Sequence, residues 1–151
     1  MSYIKYLLLS LSLLSVHTMK ADRGDTICVS GFGVHPDTYE NVVTGLQAAI
    51  DACKQIGAKV LSFPEGRYDI WPEGAARAEY FISNTSTESE CPSKIKTIGL
   101  LFKDMENLTI EGNGSVLMYH GKMITMVFDH CKNIRLQNLS TDFQRPTASE
   151  I

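Results

Sequence analysis

Several familiar signatures are missing from this chain. There is no basic excess: Lys and Arg number 14 against 17 Asp and Glu, a net charge of −3. That removes the electrostatic footprint of a nucleic-acid binder. The main apolar run, Tyr6 to Val16, has 11 residues, well short of the ~20 that span a bilayer. None of the four cysteines forms a CxxC pair, so zinc-finger spacing is absent. Tryptophan occurs once. GFGVHP follows a strand-like segment, but Pro36 stands where a dinucleotide site needs its third glycine. GNGSVL lacks the lysine of a phosphate loop, and no GxSxG nucleophile elbow exists.

What is present reads as a globular, exported chain. Apolar residues make up 44% and charged residues 21% of the sequence, a folded-domain profile. Lys5, the short apolar run and Ala21 have the layout of a secretory signal, with Met19 an atypical residue near the cleavage site. Residues 1–21 are therefore expected to be removed, leaving 130 residues with a charge of −5. A secreted or periplasmic product follows, with no stable membrane insertion after cleavage. An oxidising compartment permits disulfides among Cys28, Cys53, Cys91 and Cys131, with three connectivities open. Cys53 and Cys131 occupy apolar positions of periodic segments, so buried free thiols are the competing expectation.

The chain then alternates strands with one helix. Thr26 to Ser30 is strand-like and His35-Pro36-Asp37 is turn chemistry. Val42, Leu46, Ala49, Ile50 and Cys53 recur at helical spacing, which predicts a helix over 42–55. Asn41 is its expected N-cap and Gly57 its stop. Strands are predicted over 58–63 and 67–71, joined by Pro64-Glu65-Gly66. Within 72–98, Tyr80-Phe81-Ile82 is a short strand candidate and STESECPSK a surface loop.

Two later stretches match each other at an offset of 26 residues: LLFKDMENLTIEGNG from Leu100 and MVFDHCKNIRLQNLS from Met126. The offset aligns Phe102 with Phe128, Met105 with Cys131, Asn107 with Asn133, Leu108 with Ile134 and Ile110 with Leu136. A repeat of this length is a unit that must stack to bury its inward face. The expected fold is mainly β: a right-handed parallel β-helix, with 22–151 forming its N-terminal cap and first coils. A β-sandwich with a chance match is the alternative. The helix would lie over the first coil with Leu46, Ile50 and Cys53 inward, and Asn107 and Asn133 would stack.

The order strand, GFGVHPD, helix, VLSFPEGRYDI and coils resembles the cap of the pectate-lyase-like β-helix superfamily. YFISNTS, ECPSK and the stretch from Phe81 to Phe102 carry a closer likeness. From about Val29 to Ile151 the chain resembles glycoside hydrolase family 110, exported bacterial α-1,3-galactosidases. That resemblance implies removal of terminal α-1,3-linked galactose from blood-group-B-type glycans with inversion. It implies an oligosaccharide substrate, no cofactor and no metal, and it leaves a homo-oligomer of the full-length enzyme open. Inversion needs two carboxyl groups about 6.5–9.5 Å apart. Family members run to several hundred residues, with those carboxylates on later coils. No catalytic residue is therefore assigned here, and the chain alone is expected to be inactive and poorly soluble.

Asp142 and Arg145 in STDFQRPTASE are the candidate sugar-binding residues, beside Glu150; an ordinary turn is the alternative. Trp71 is either a sugar platform or a packed aromatic. His120 and His130 lack ligand-spaced partners. Asn84, Asn107, Asn113 and Asn138 open N-x-S/T triplets that read as turn and strand composition. A polysaccharide lyase and a non-catalytic glycan-binding or structural solenoid are the other functional readings.

Overall fold

The computed structural model describes residues 25–80 and 94–145. The expectations for 1–21, Phe81-Ile82, Asn84, Cys91, Glu150 and the STESECPSK loop up to its last residue, Lys94, lie outside the described residues. The described chain begins with β1 (Thr26–Cys28), which ends in a 3-10 turn over Val29–Phe32. The helix α1 (Val43–Ile56) follows, one residue later than its periodicity suggests. Val42 is the N-cap residue, yet Asn41 still serves this end: its Oδ1 accepts the Val43 N–H at 3.2 Å. Gly57 closes the helix at φ 66, where its N–H reaches the Cys53 carbonyl.

Then come β2 (Val60–Ser62), β3 (Arg67–Ile70), β4 (Ala76–Glu79), β5 (Ile95–Lys103), β6 (Glu106–Tyr119), β7 (Ile124–Asp129) and β8 (Lys132–Phe143). One sheet is all parallel: β1 pairs with β2, β2 and β3 pair with successive parts of β6, and β8 pairs with β6. The other is mixed, with β5 between antiparallel β4 and parallel β7.

This corrects the expected right-handed parallel β-helix. A five-stranded sheet, a three-stranded mixed sheet and one helix are formed, not a solenoid of stacked coils. The reason lies in what surrounds the repeat. Its two copies stack once, as β5 on β7 and β6 on β8. Their other neighbours are three- and four-residue strands unlike the repeat, and one of them, β4, runs antiparallel. The repeat alignment itself gives the register: Phe102 faces Phe128, Leu108 faces Ile134 and Ile110 faces Leu136. Asn133 Nδ2 donates to Asn107 Oδ1 at 2.7 Å. Both asparagines are left-handed (φ 56 and 53), as are Asn113 and Asn138, the conformation asparagine tolerates best after glycine.

The core lies between α1 and the sheets. Leu46, Ala49, Ile50 and Cys53 of α1 are buried against Leu61, Phe63, Tyr68, Ile70, Leu100, Phe102, Leu108 and Ile110. Cys53 is a free thiol, and burial pushes its pKa up to about 11, so it stays protonated and inert. Cys28 and Cys131 are also free. Gln47 fastens the helix to the second sheet. Its amide donates to the Leu101 carbonyl at 3.0 Å and accepts the Leu101 N–H at 3.2 Å, completing a strand position that β4 does not reach.

In β6 the GNG segment interrupts the ladder: Glu111 faces Gln137, and the next pair is Ser115 with Leu139. A side chain at Gly112 would come within 2.3 Å of the Asn138 carbonyl oxygen, so the strands meet there backbone to backbone. Asn113 pins the bend by donating to the Phe63 carbonyl at 2.8 Å.

Candidate functional site

The parallel register brings three strand ends onto one line. Ile70 of β3 is level with Tyr119 of β6, and Tyr119 with Phe143 of β8. The next residues, Trp71, His120 and Gln144, therefore leave the sheet side by side. Backbone bonds tie them: the His120 N–H donates to the Ile70 carbonyl at 2.9 Å, and the Gln144 N–H to the Tyr119 carbonyl at 3.0 Å. Alternation sends Ile70 and Tyr119 into the core, so Asp69, two residues before Trp71, lies on the opposite face.

On that face Trp71 and His120 stack, with ring centroids 3.7 Å apart and planes within 6°. His120 is only 8% exposed, and its Nε2 lies 2.7 Å from Asp69 Oδ1. Arg67 holds the same carboxylate through two nitrogens, at 2.9 and 2.5 Å. Burial pushes the Asp69 pKa up, but hydrogen bonds from Arg67 and His120 outweigh it and hold it below the usual carboxylate value. An ionised carboxylate only accepts, so His120 Nε2 carries the hydrogen of this contact. The chain Arg67–Asp69–His120 thus fixes the imidazole, and the imidazole fixes the plane of Trp71.

Trp71 and His120 line an open cleft of about 730 Å³, together with Pro72, Glu73, Gly121, Lys122, Gln144 and Arg145. Arg145, a sequence candidate, sits here with Trp71. Asp142 does not line the cleft; it is exposed, and its Oδ1 accepts the Phe143 N–H at 2.7 Å. Trp71 is both packed and available: half-buried against His120, and bordering the cleft. Asn41 steadies the same edge, donating to the Glu73 carbonyl at 2.8 Å and accepting the Trp71 N–H at 3.2 Å.

The Asp69–His120 pair is invisible in the sequence. Its members are 51 residues apart, and only strand register joins them. The repeat does not reveal it either: beyond the GNG segment the pairing leaves the 26-residue offset, with Tyr119 opposite Phe143, and β3 has no counterpart in the repeat.

A second polar cluster lies at the end of β7. Tyr80 donates to Asp129 Oδ2 at 2.8 Å, His130 Nδ1 lies 2.5 Å from Oδ1, and Lys103 approaches to 3.6 Å. The hydrogen bond from Tyr80 comes first among the causes that hold the Asp129 carboxyl below its usual value. His130 is 79% exposed with φ 51, a strand-end residue outside the cleft.

No family model matches the chain. Individual proteins do. Over 131 residues it is 63% identical to Alpha-1,3-galactosidase A of Bacteroides fragilis (strain YCH46), covering 87% of this chain and 22% of that protein. The chain is similar in sequence to one part of proteins named alpha-1,3-galactosidase. Alpha-1,3-galactosidase B of Bacteroides thetaiotaomicron is 40% identical over 147 residues, covering 97% of this chain and 23% of the relative. Alpha-1,3-galactosidase A of Shewanella woodyi is 32% identical over 120 residues, covering 80% and 19%. The chain thus spans about a fifth of the length of the curated relatives it matches.

Proposed function

We propose that this chain is part of an exported glycoside hydrolase of family 110 that removes terminal α-1,3-linked galactose with inversion. The observation that carries the reading is the 63% identity, over 87% of the chain, to a protein named as such a galactosidase. Inversion requires one protonated carboxyl group for the leaving oxygen and one carboxylate to activate water, on opposite sides of the bond. This reading assigns neither to a residue of this chain. The part described here supplies a buried, helix-covered scaffold and a polar cleft, in which Arg145 contacts a sugar hydroxyl, with Asp142 a second contact on the neighbouring surface. Residues 1–21 direct export.

The test is product analysis. The protein carrying this sequence is incubated with an α-1,3-galactosyl oligosaccharide and followed by proton NMR. Free galactose released first as the β-anomer is the expected result. Release as the α-anomer removes inversion, and unsaturated products replace the galactosidase by a polysaccharide lyase. Binding without turnover replaces it by a glycan-binding protein. Amino-terminal sequencing of the exported product, expected to begin after Ala21, tests the signal.

A further inference from the structure

The cleft at the ends of β3, β6 and β8 has a specific chemical make-up. Its lining includes an indole whose plane is held by a buried histidine and a buried carboxylate, both fixed by short contacts. Such a platform loses little freedom when a flat apolar surface settles on it. The other lining side chains include polar ones of mixed kind. Lys122 and Arg145 are donors, Glu73 is an acceptor, and Gln144 is both. No side-chain hydrogen bond or ion pair joins the Lys122, Arg145 or Glu73 side chains to another described residue, so their capacity is open to a ligand. An anion site would be lined by donors alone. A cleft with cations, a carboxylate and an amide around one aromatic suits a molecule with one apolar C–H face and a ring of hydroxyls. A pyranose has that form.

We propose that this cleft is a stacking subsite for a neutral pyranose, with Trp71 as the platform and Gln144, Arg145 and Glu73 as hydroxyl partners. The choice of saccharide as ligand class rests on the glycoside hydrolase reading above. The apolar face of the sugar lies on the indole, whose other side is backed by His120. Arg145 and Gln144 donate to ring hydroxyls, and Glu73 accepts from one. His120 is a positioning residue, acting only through the indole.

Trp71 is the only tryptophan of the 151 residues, so its fluorescence reports on this cleft alone. Titration of the chain with methyl α-galactopyranoside and with an α-1,3-linked galactobiose is expected to give a saturable change. A dissociation constant on the order of 1 mM suits a single ring in an open cleft. Arg145→Ala is expected to weaken binding about tenfold, the loss of one charge-assisted hydrogen bond, and Gln144→Ala less. Both residues are exposed, so the thermal melt should not move. Calorimetry of the same titration with Trp71→Leu, expected to show no binding, frees the result from the fluorophore.

Three outcomes overturn the proposal: no saturation, equal affinity in the Arg145 and Gln144 variants, or galacturonate or sorbitol binding as tightly as the neutral pyranosides. If wild type fails to bind while the galactose-release assay succeeds, the subsite falls and the hydrolase reading stands. If binding holds and release fails, the reverse is true.

Discussion

The two copies of the repeat place the same residue types in opposite surroundings. Phe102, Leu108 and Ile110 are at most 1% exposed, whereas their partners Phe128 and Leu136 are 42% and 44% exposed and Ile134 is half-buried. Met105 is buried and Cys131 half-buried. The inner copy is covered from both sides, by α1 with β2 and β3 and by the outer copy. Among the described residues the outer copy is covered only from within. An apolar pattern therefore specifies which way a side chain points, not how much of it leaves water. The stacking partner decides that.

The largest expected effect tests this contrast directly. Ile110→Ala should cost about 2–5 kcal/mol, because it empties a fully buried site. Leu136→Ala, in the same register position, should cost roughly 1 kcal/mol or less, because much of that side chain is already hydrated. Urea denaturation of the two variants measures the pair. Equal costs would mean that the outer copy is covered in solution.

A smaller effect sharpens the contrast at the cleft. Asp69→Asn leaves Arg67 and His120 without their shared carboxylate, a loss of about 3 kcal/mol if the pair is broken as a buried ion pair. Its pH dependence identifies the cause. The folded pKa of Asp69 lies below its ordinary value. Its stabilisation is therefore complete above the ordinary carboxylate range and is lost as the pH falls through the lowered value. The melting temperature of wild type should drop at acid pH, and Asp69→Asn should flatten that limb. An unchanged acid limb would move its origin elsewhere, with Asp129 and its Tyr80 and His130 contacts the next group to test.

The smallest effect concerns the helix-covered edge. Gln47→Ala removes two hydrogen bonds to the Leu101 backbone, worth about 1–2 kcal/mol together. Hydrogen exchange at the Leu101 amide should quicken while amides in β6 do not. Uniform quickening would show that Gln47 supports the whole fold, not one edge.

Much of the local structure was legible. The 3.6-residue spacing of Leu46, Ala49, Ile50 and Cys53 gave α1 and its buried face, and Gly57 gave its end. The 26-residue offset gave the β6–β8 register from Glu106 to Glu111, but not beyond the GNG interruption, where Ser115 pairs with Leu139 and Tyr119 with Phe143. The global architecture was not legible, because register within one pair says nothing of what pairs on the other side. β4 carries ARAE, a segment without β-branched or aromatic residues. Its place on β5 comes from pairing, not from propensity. The candidate site was read in part for the same reason. Arg145 and Trp71 stood out by residue type, whereas His120 and Asp69 gain meaning only when β3 and β6 lie side by side.

The GNG interruption in β6 governs the cleft from a distance. Between Ser115 and Tyr119 the strand runs without a further break, level with β3 and β8. Residues alternate faces along that run, so its length acts as a ruler. Deleting one residue from it would turn His120 away from Trp71 and Asp69 while leaving every cleft side chain present in the sequence. The stretch should therefore tolerate exchanges of one surface residue for another far better than any change in its count of residues.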